Sequence, residues 1–257
     1  MNIISRLKGL LKEKPDVAAQ IVEKSRKDRA PRVNVNSLHN LRFTTADSNN
    51  QAPFAIVNIS TTGIGLKISS TDFQQPNKDK IEGQLSIGEN HYAASLRIVR
   101  RGEEFLGAIF EDATAELSRS IKLYFDTEIA AINLNAVRPD LLKQEPDGIP
   151  HWYHGDNNCG LTFVSLEEEV LRFTLTVFGN FIEGGKDLPL HAGSVVKDDS
   201  KGKASYKASE ILQRERNFDK SIFETGERLV MAIEMIEPAH RKALLAYLNQ
   251  YKSTVSK

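Results

Sequence analysis

The chain has 257 residues, with 34 Lys and Arg against 34 Asp and Glu and a hydrophobic share of 40%. Balanced charge removes the global field that would draw it to nucleic acid, and a single cysteine, Cys159, excludes an intramolecular disulfide framework. No apolar run approaches the ~18 residues of a membrane span, and Arg6 and Lys8 interrupt any signal-peptide core. A soluble, cytoplasmic protein of two ordinary domains is expected.

Residues 1–13 place Ile3, Ile4, Leu7, Leu10 and Leu11 on one helical face, and Pro15 starts a second helical stretch carrying Val17, Ile21 and Val22. This basic arm is expected to pack on its own chain or on a protein partner. Peripheral membrane contact is the less favoured use, because the helix is short and has no aromatic anchor. An arginine-rich entry follows, Ser25-Arg-Lys-Asp-Arg-Ala-Pro-Arg32, in which Arg26, Arg29 and Arg32 are spaced three apart.

From Arg32 the apolar period changes to two. Val33 and Val35, Leu41 to Phe43, Phe54 to Val57 and Ile64 to Ile68 read as short strands. Leu85 to Tyr92 reads as a hairpin around Gly88-Glu-Asn90; a second joins Ala93–Val99 to Phe105–Phe110 through the turn Arg100–Glu104. Many short antiparallel strands at this spacing favour a small barrel or sandwich. Glu116 to Leu134 returns to helical spacing, with Leu117, Ile121, Tyr124, Phe125 and Ile129 as a stripe.

The loop-rich stretch 135–150 is the expected domain boundary. Leu161 to Leu166 and Val170 to Glu183 read as two strands, the second long or bent at Gly179, and Lys197 to Lys203 reads as a solvated linker. The tail from Ser205 to Lys252 reads as helical. Ile222, Leu229, Val230, Ile233 and Met235 form one face and Leu244, Leu245 and Leu248 another, with Pro238 starting the last helix.

Asn58-Ile-Ser-Thr-Thr-Gly63 sits between two of the strand-like runs. Arginine pairs bidentately with a phosphate or with a guanine O6/N7 edge and stacks on the base. Asn58 and Ser60 offer short donors and acceptors, and Gly63 permits a positive φ and a close backbone approach. Together they suit a small anionic, purine-bearing ligand. The order arginine cluster, strand, Asn-x-Ser-x-x-Gly, strand, hairpin, then Leu96-Arg-Ile-Val-Arg100 and Leu106-Gly-Ala-Ile-Phe110, resembles a PilZ domain over roughly residues 26–130. That resemblance implies a six-stranded antiparallel barrel acting in bacteria as a receptor for cyclic di-GMP, and therefore a β plus α protein. Its parts would be an N-terminal arm (1–25), a barrel with trailing helix (26–134) and a C-terminal α+β extension (135–257). The implied ligand-binding residues are Arg26, Arg29, Arg32, Asn58, Ser60 and Gly63, and an unidentified protein partner would receive the signal. The family spacing is Arg-x-x-x-Arg, whereas here no two arginines of the cluster stand four apart. The alternative is a PilZ-like adaptor that acts without ligand.

Other constellations carry less. His151, His154, Asp156 and Cys159 are donor types that zinc takes, but only His191 is at hand to complete them, so no metal and no cofactor beyond the regulatory nucleotide is expected. No nucleophile elbow or phosphate-binding glycine loop occurs, and enzyme activity is not expected.

Overall fold

Among the described residues, alternation of apolar and polar residues builds two antiparallel sheets, and four α-helices form where the period lengthens. The computed structural model describes residues 30–46, 53–68, 79–197, 210–215 and 219–254. The amphipathic arm, Arg26, Arg29 and, of the expected linker Lys197–Lys203, residues 198–203 lie outside these; Lys197 is the last residue of a strand. The first sheet contains β1 (Val33–Asn34), β2 (Leu41–Thr45), β3 (Ala55–Ser60), β4 (Gly63–Lys67), β5 (Lys80–Ile87), β6 (Asn90–Arg101) and β7 (Phe105–Phe110) in the order β1-β3-β4-β7-β6-β5-β2. It has seven strands against the six that the resemblance implies. The flanks meet where the Phe54 amide donates to the Phe43 carbonyl at 2.8 Å.

By contact density the described chain divides into a unit built on Leu41–Ser118 and a second built on Val33–Asn40 and the residues from Arg119 onward. In the first, Phe43, Ile59, Ile64, Leu66, Leu85 and Leu96 are all fully buried. The β5–β6 hairpin closes at Ile87 and Asn90 with Gly88 at φ 59°, where glycine avoids the Cβ clash of the left-handed region. β6 continues to Arg101, past the expected turn at Arg100, because a bulge between Ile98 and Arg100 keeps it paired with β7.

Helix α1 (Ala115–Tyr124) is capped by the Thr114 hydroxyl, which accepts from the Leu117 amide at 3.0 Å. The expected helix over 116–134 is two helices, α1 and α2 (Asp126–Ile132), because Phe125 takes a non-helical ψ of 21° between them.

The second sheet is a meander, in chain order β8 (Asn135–Ala136), β9 (Ile149–His154), β10 (Gly160–Leu166), β11 (Glu169–Val177), β12 (Asn180–Gly185), β13 (Leu188–Lys197) and β14 (Glu210–Arg214). Three readings change here. Val170–Glu183 is a tight hairpin, not one bent strand: Phe178 and Gly179 both take positive φ and Val177 pairs with Asn180. Leu188–Lys197 is a strand the spacing did not reveal. Glu210–Arg214 is also a strand, so the tail becomes helical only at α3 (Ser221–Ala232), followed by α4 (Pro238–Thr254). One sheet face packs on these helices through Leu161, Phe173, Leu175, Ile182, Leu229 and Leu248, all at most 4% exposed. Met235 is exposed and Ile236 is buried in its place, because α3 ends at Ala232 and the helical register stops with it.

The second unit also holds an ion pair at the corner of α1 and α2. Arg228 on α3 grips Glu128 through Nε to Oε1 at 2.7 Å and Nη2 to Oε2 at 2.6 Å, and Nη2 also donates to the Tyr124 carbonyl. His39 completes the site. Its Nδ1 accepts from the Asn36 amide at 3.0 Å, so the proton sits on Nε2, which donates to Glu128 Oε1 at 3.0 Å. Burial alone would push the Glu128 carboxyl up, but hydrogen bonds from His39 and Arg228, and the charge of Arg228, outweigh it and hold the pKa at about 2 against an ordinary 4.5. A depressed carboxyl contributes stability that is present above the unfolded value and lost as pH falls through the folded one. Unfolding in urea is therefore expected to show a stability loss of about 3 kcal/mol as pH drops from 4.5 towards 2 in wild type. Glu128→Ala, which strands a buried Arg228, is expected to cost about 3–5 kcal/mol at neutral pH and to flatten that acid limb.

Candidate functional site

Strands β3 and β4 form a hairpin with Thr61 and Thr62 at its tip and Ser60 paired to Gly63. Ile59, Ile64 and Leu66 point into the core. By alternation Asn58, Ser60, Gly63 and Gly65 belong to the opposite, outer face. The three motif residues are thus brought together on one turn, but they do different things.

Ser60 is 3% exposed. Its hydroxyl donates to the Gly63 carbonyl at 3.3 Å and accepts from the Thr62 amide at 3.4 Å, a brace of the kind serine makes within tight turns. Gly63 does not take the positive φ expected of it; Gly88 and Gly179 are the glycines that do. Its requirement is steric. A Cβ on Gly63 would lie 2.5 Å from the Ala108 carbonyl oxygen, so only glycine lets β4 close on β7 here.

Asn58 follows a bulge between Ile56 and Asn58, and its Oδ1 is buried with no hydrogen-bond partner among the described residues. Such an acceptor costs about 1–3 kcal/mol in lost solvation. A row of pairings extends from it across the outer face: Asn58 to Gly65, Gly65 to Gly107 on β7, and Gly107 to Arg100 on β6. The Phe105 ring lies over the two glycines, with Lys67 and Arg100 exposed beside it. Gly65, Gly107, Phe105 and Arg100 were not singled out from the sequence. The available signal was a lone glycine inside each of two apolar strands, Ile64-Gly-Leu66 and Leu106-Gly-Ala108, which marks a close approach of backbone or ligand.

Arg32 is exposed, and no contact among the described residues joins it to Asn58, Ser60 or Gly63. Arg26 and Arg29 lie outside the described residues. The histidines considered as metal ligands are separated by strand alternation: His151 faces the helices and bonds Ser165 at 2.9 Å, while His154 lies on the opposite face. Cys159 is buried, which pushes its thiol up. No group of three potential ligands occurs among the described residues, and none of their helices is long and apolar enough to cross a membrane.

No family model and no curated protein matches the chain. Among solved structures it is similar to an uncharacterized Legionella protein, at 14% identity and a TM-score of 0.29 over 37% of this chain and 90% of that one. It is similar to the PilZ domain of CeSA from a cellulose-synthesizing bacterium, at 16% identity and 0.30 over 38% and 99%. The Borreliella burgdorferi PlzA protein in complex with c-di-GMP is similar at 13% identity and 0.30 over 70% and 87%.

Gly63→Ala forces a Cβ against backbone that has no side-chain freedom to yield. Thermal and urea unfolding are expected to show a loss of about 1–3 kcal/mol in the absence of any ligand, whereas Asn58→Ala, which removes an unpaired acceptor, should leave stability unchanged or raised.

Proposed function

We propose that this protein is a bacterial, cytoplasmic receptor for cyclic di-GMP. It would comprise an arm (1–25), a PilZ-like receptor domain (26–134) and a C-terminal extension (135–257) that passes the bound state to a protein partner. The observation that carries the reading is the Asn58 Oδ1, buried and without a hydrogen-bond partner among the described residues, on the outer face of a hairpin whose sequence is Asn-x-Ser-x-x-Gly. A buried acceptor without a partner is retained where something else completes it. The N1–H and amino group of a guanine edge are suitable donors.

Arg26, Arg29 and Arg32 supply the complementary half. Guanidinium groups pair with the two phosphates and stack on the bases. Lys67 and Arg100 add positive charge beside the glycine row, favouring a dianionic ligand. Ser60 and Gly63 hold the turn that presents Asn58. No group in this arrangement is an activated nucleophile or a paired acid and base, so the chemistry it supports is binding rather than turnover. The signal would arise when ligand orders the arginine segment, since the residues immediately after Arg32 belong to the second unit, where His39 is bonded to Glu128.

Isothermal titration of cyclic di-GMP into the full chain is expected to give saturable binding that weakens with added salt. Arg32→Ala should reduce affinity roughly 10–100-fold, the loss of one or two charge-assisted hydrogen bonds, and Asn58→Ala roughly tenfold. No binding at tens of micromolar ligand refutes the receptor and favours an adaptor that recovers its partner equally from cells rich or poor in the nucleotide.

A further inference from the structure

The Asn58 Oδ1 is buried although by alternation it belongs to the outer face, and the Phe105 ring approaches the same space above Gly65. Pairing of Lys67 with Phe105 and of Gly65 with Gly107 places Phe105 on the same face as the glycine row. A Cβ on Gly65 would lie 2.7 Å from Phe105 Cε2, 2.9 Å from Cζ and 2.7 Å from Asn58 Oδ1. On Gly107 it would lie 3.5 Å from Phe105 Cε1. The ring therefore rests across both glycines, and its leading edge shares with the Asn58 oxygen the space that a side chain at position 65 would fill.

Only apolar contact holds the ring there. No aromatic or cation–π partner fixes it among the described residues, and it is half-buried rather than part of the core. With the ring rotated away, the surface left behind is bare backbone of β4 and β7, flat enough to receive a planar base beside an exposed carboxamide.

We propose that Phe105 is a lid over the Asn58 acceptor, which must leave Gly65 before a purine edge pairs with Asn58. The inference rests on the cyclic di-GMP reading for its ligand, but the covering of Asn58 by Phe105 is testable without it. A closed ring taxes binding: when the competent state is a minor one, of order a tenth of molecules, apparent affinity and association fall by that fraction.

The test uses the full chain in two measurements, stopped-flow association of cyclic di-GMP and NMR relaxation of the Asn58 side-chain amide by a soluble paramagnetic agent. Phe105→Ala is expected to associate on the order of tenfold faster than wild type and to show a raised relaxation enhancement at Asn58. Phe105→Leu, which keeps apolar contact with less cover, should fall between and guards against a folding defect in the alanine variant. Unchanged relaxation at Asn58, or association that is equal or slower in Phe105→Ala, overturns the lid. Binding detected in Phe105→Ala but not in wild type supports it. If none of the three proteins binds cyclic di-GMP, the ligand reading falls, and the Asn58 relaxation alone decides whether Phe105 covers it.

Discussion

The outer face of the first unit depends on how closely β4 and β7 approach. Ile64, Leu66, Leu106 and Ala108 are all at most 2% exposed, and burying them draws the two strands together from the inside. The opposite face must then be free of Cβ atoms where the backbones converge. Gly63 sits against the Ala108 carbonyl, and Gly65 and Gly107 pair directly across the ladder. Core packing on one side thus dictates a bare strip on the other. A strip without side chains lets a ring lie flat on backbone, whether that ring is Phe105 or a base.

A different physical logic operates in the second unit. Glu128 is 2% exposed, yet it accepts from both Arg228 and His39, and a buried carboxylate with these donors is favourable only as a complete set. The set fixes geometry more than it adds stability. It ties α3 to the α1–α2 corner and holds the segment from Asn36 to Asn40, whose Asn40 amide also donates to the Tyr124 hydroxyl at 2.8 Å. Arg32 therefore precedes an anchored stretch of chain.

Much of this was legible in the sequence, and the failures have common causes. The strands of the first sheet follow from period-two alternation, and Gly88 marks its hairpin. The Phe178–Gly179 turn was missed although Gly179-Asn180 marks it, because the apolar Val177, Phe178 and Phe181 on either side read as one strand bent at Gly179 until the positive φ of Phe178 is seen. Leu188–Lys197 was missed because glycine and histidine interrupt its apolar pattern, although ladder bonds to β12 on one side and β14 on the other hold it in the sheet. His39 and Glu128 lie 89 residues apart, and no local pattern marks two polar residues that are buried only because they meet. At the candidate site the sequence grouped Asn58, Ser60 and Gly63 as ligand-binding, whereas in the structure Ser60 braces the turn through its own hydrogen bonds and Gly63 leaves room for the Ala108 carbonyl.

Separating those roles changes what the motif means. Ser60 and Gly63 satisfy or vacate space within the hairpin, so they would be needed for the turn even if nothing ever bound there. Asn58 differs from both: its Oδ1 has no hydrogen-bond partner among the described residues. Its oxygen is desolvated and unpaired, where a leucine of similar size would pack without that penalty, and local structure over-determines its position through the bulge before it and the missing Cβ at Gly65. An adaptor needing only the barrel shape gains nothing by keeping an unsatisfied amide under an aromatic ring. A receptor gains an acceptor already stripped of water, whose hydrogen bond to an incoming donor is not offset by the loss of one to solvent. On the cyclic di-GMP reading proposed above, the feature that weakens the free protein would be the one that sets the contrast between free and bound states.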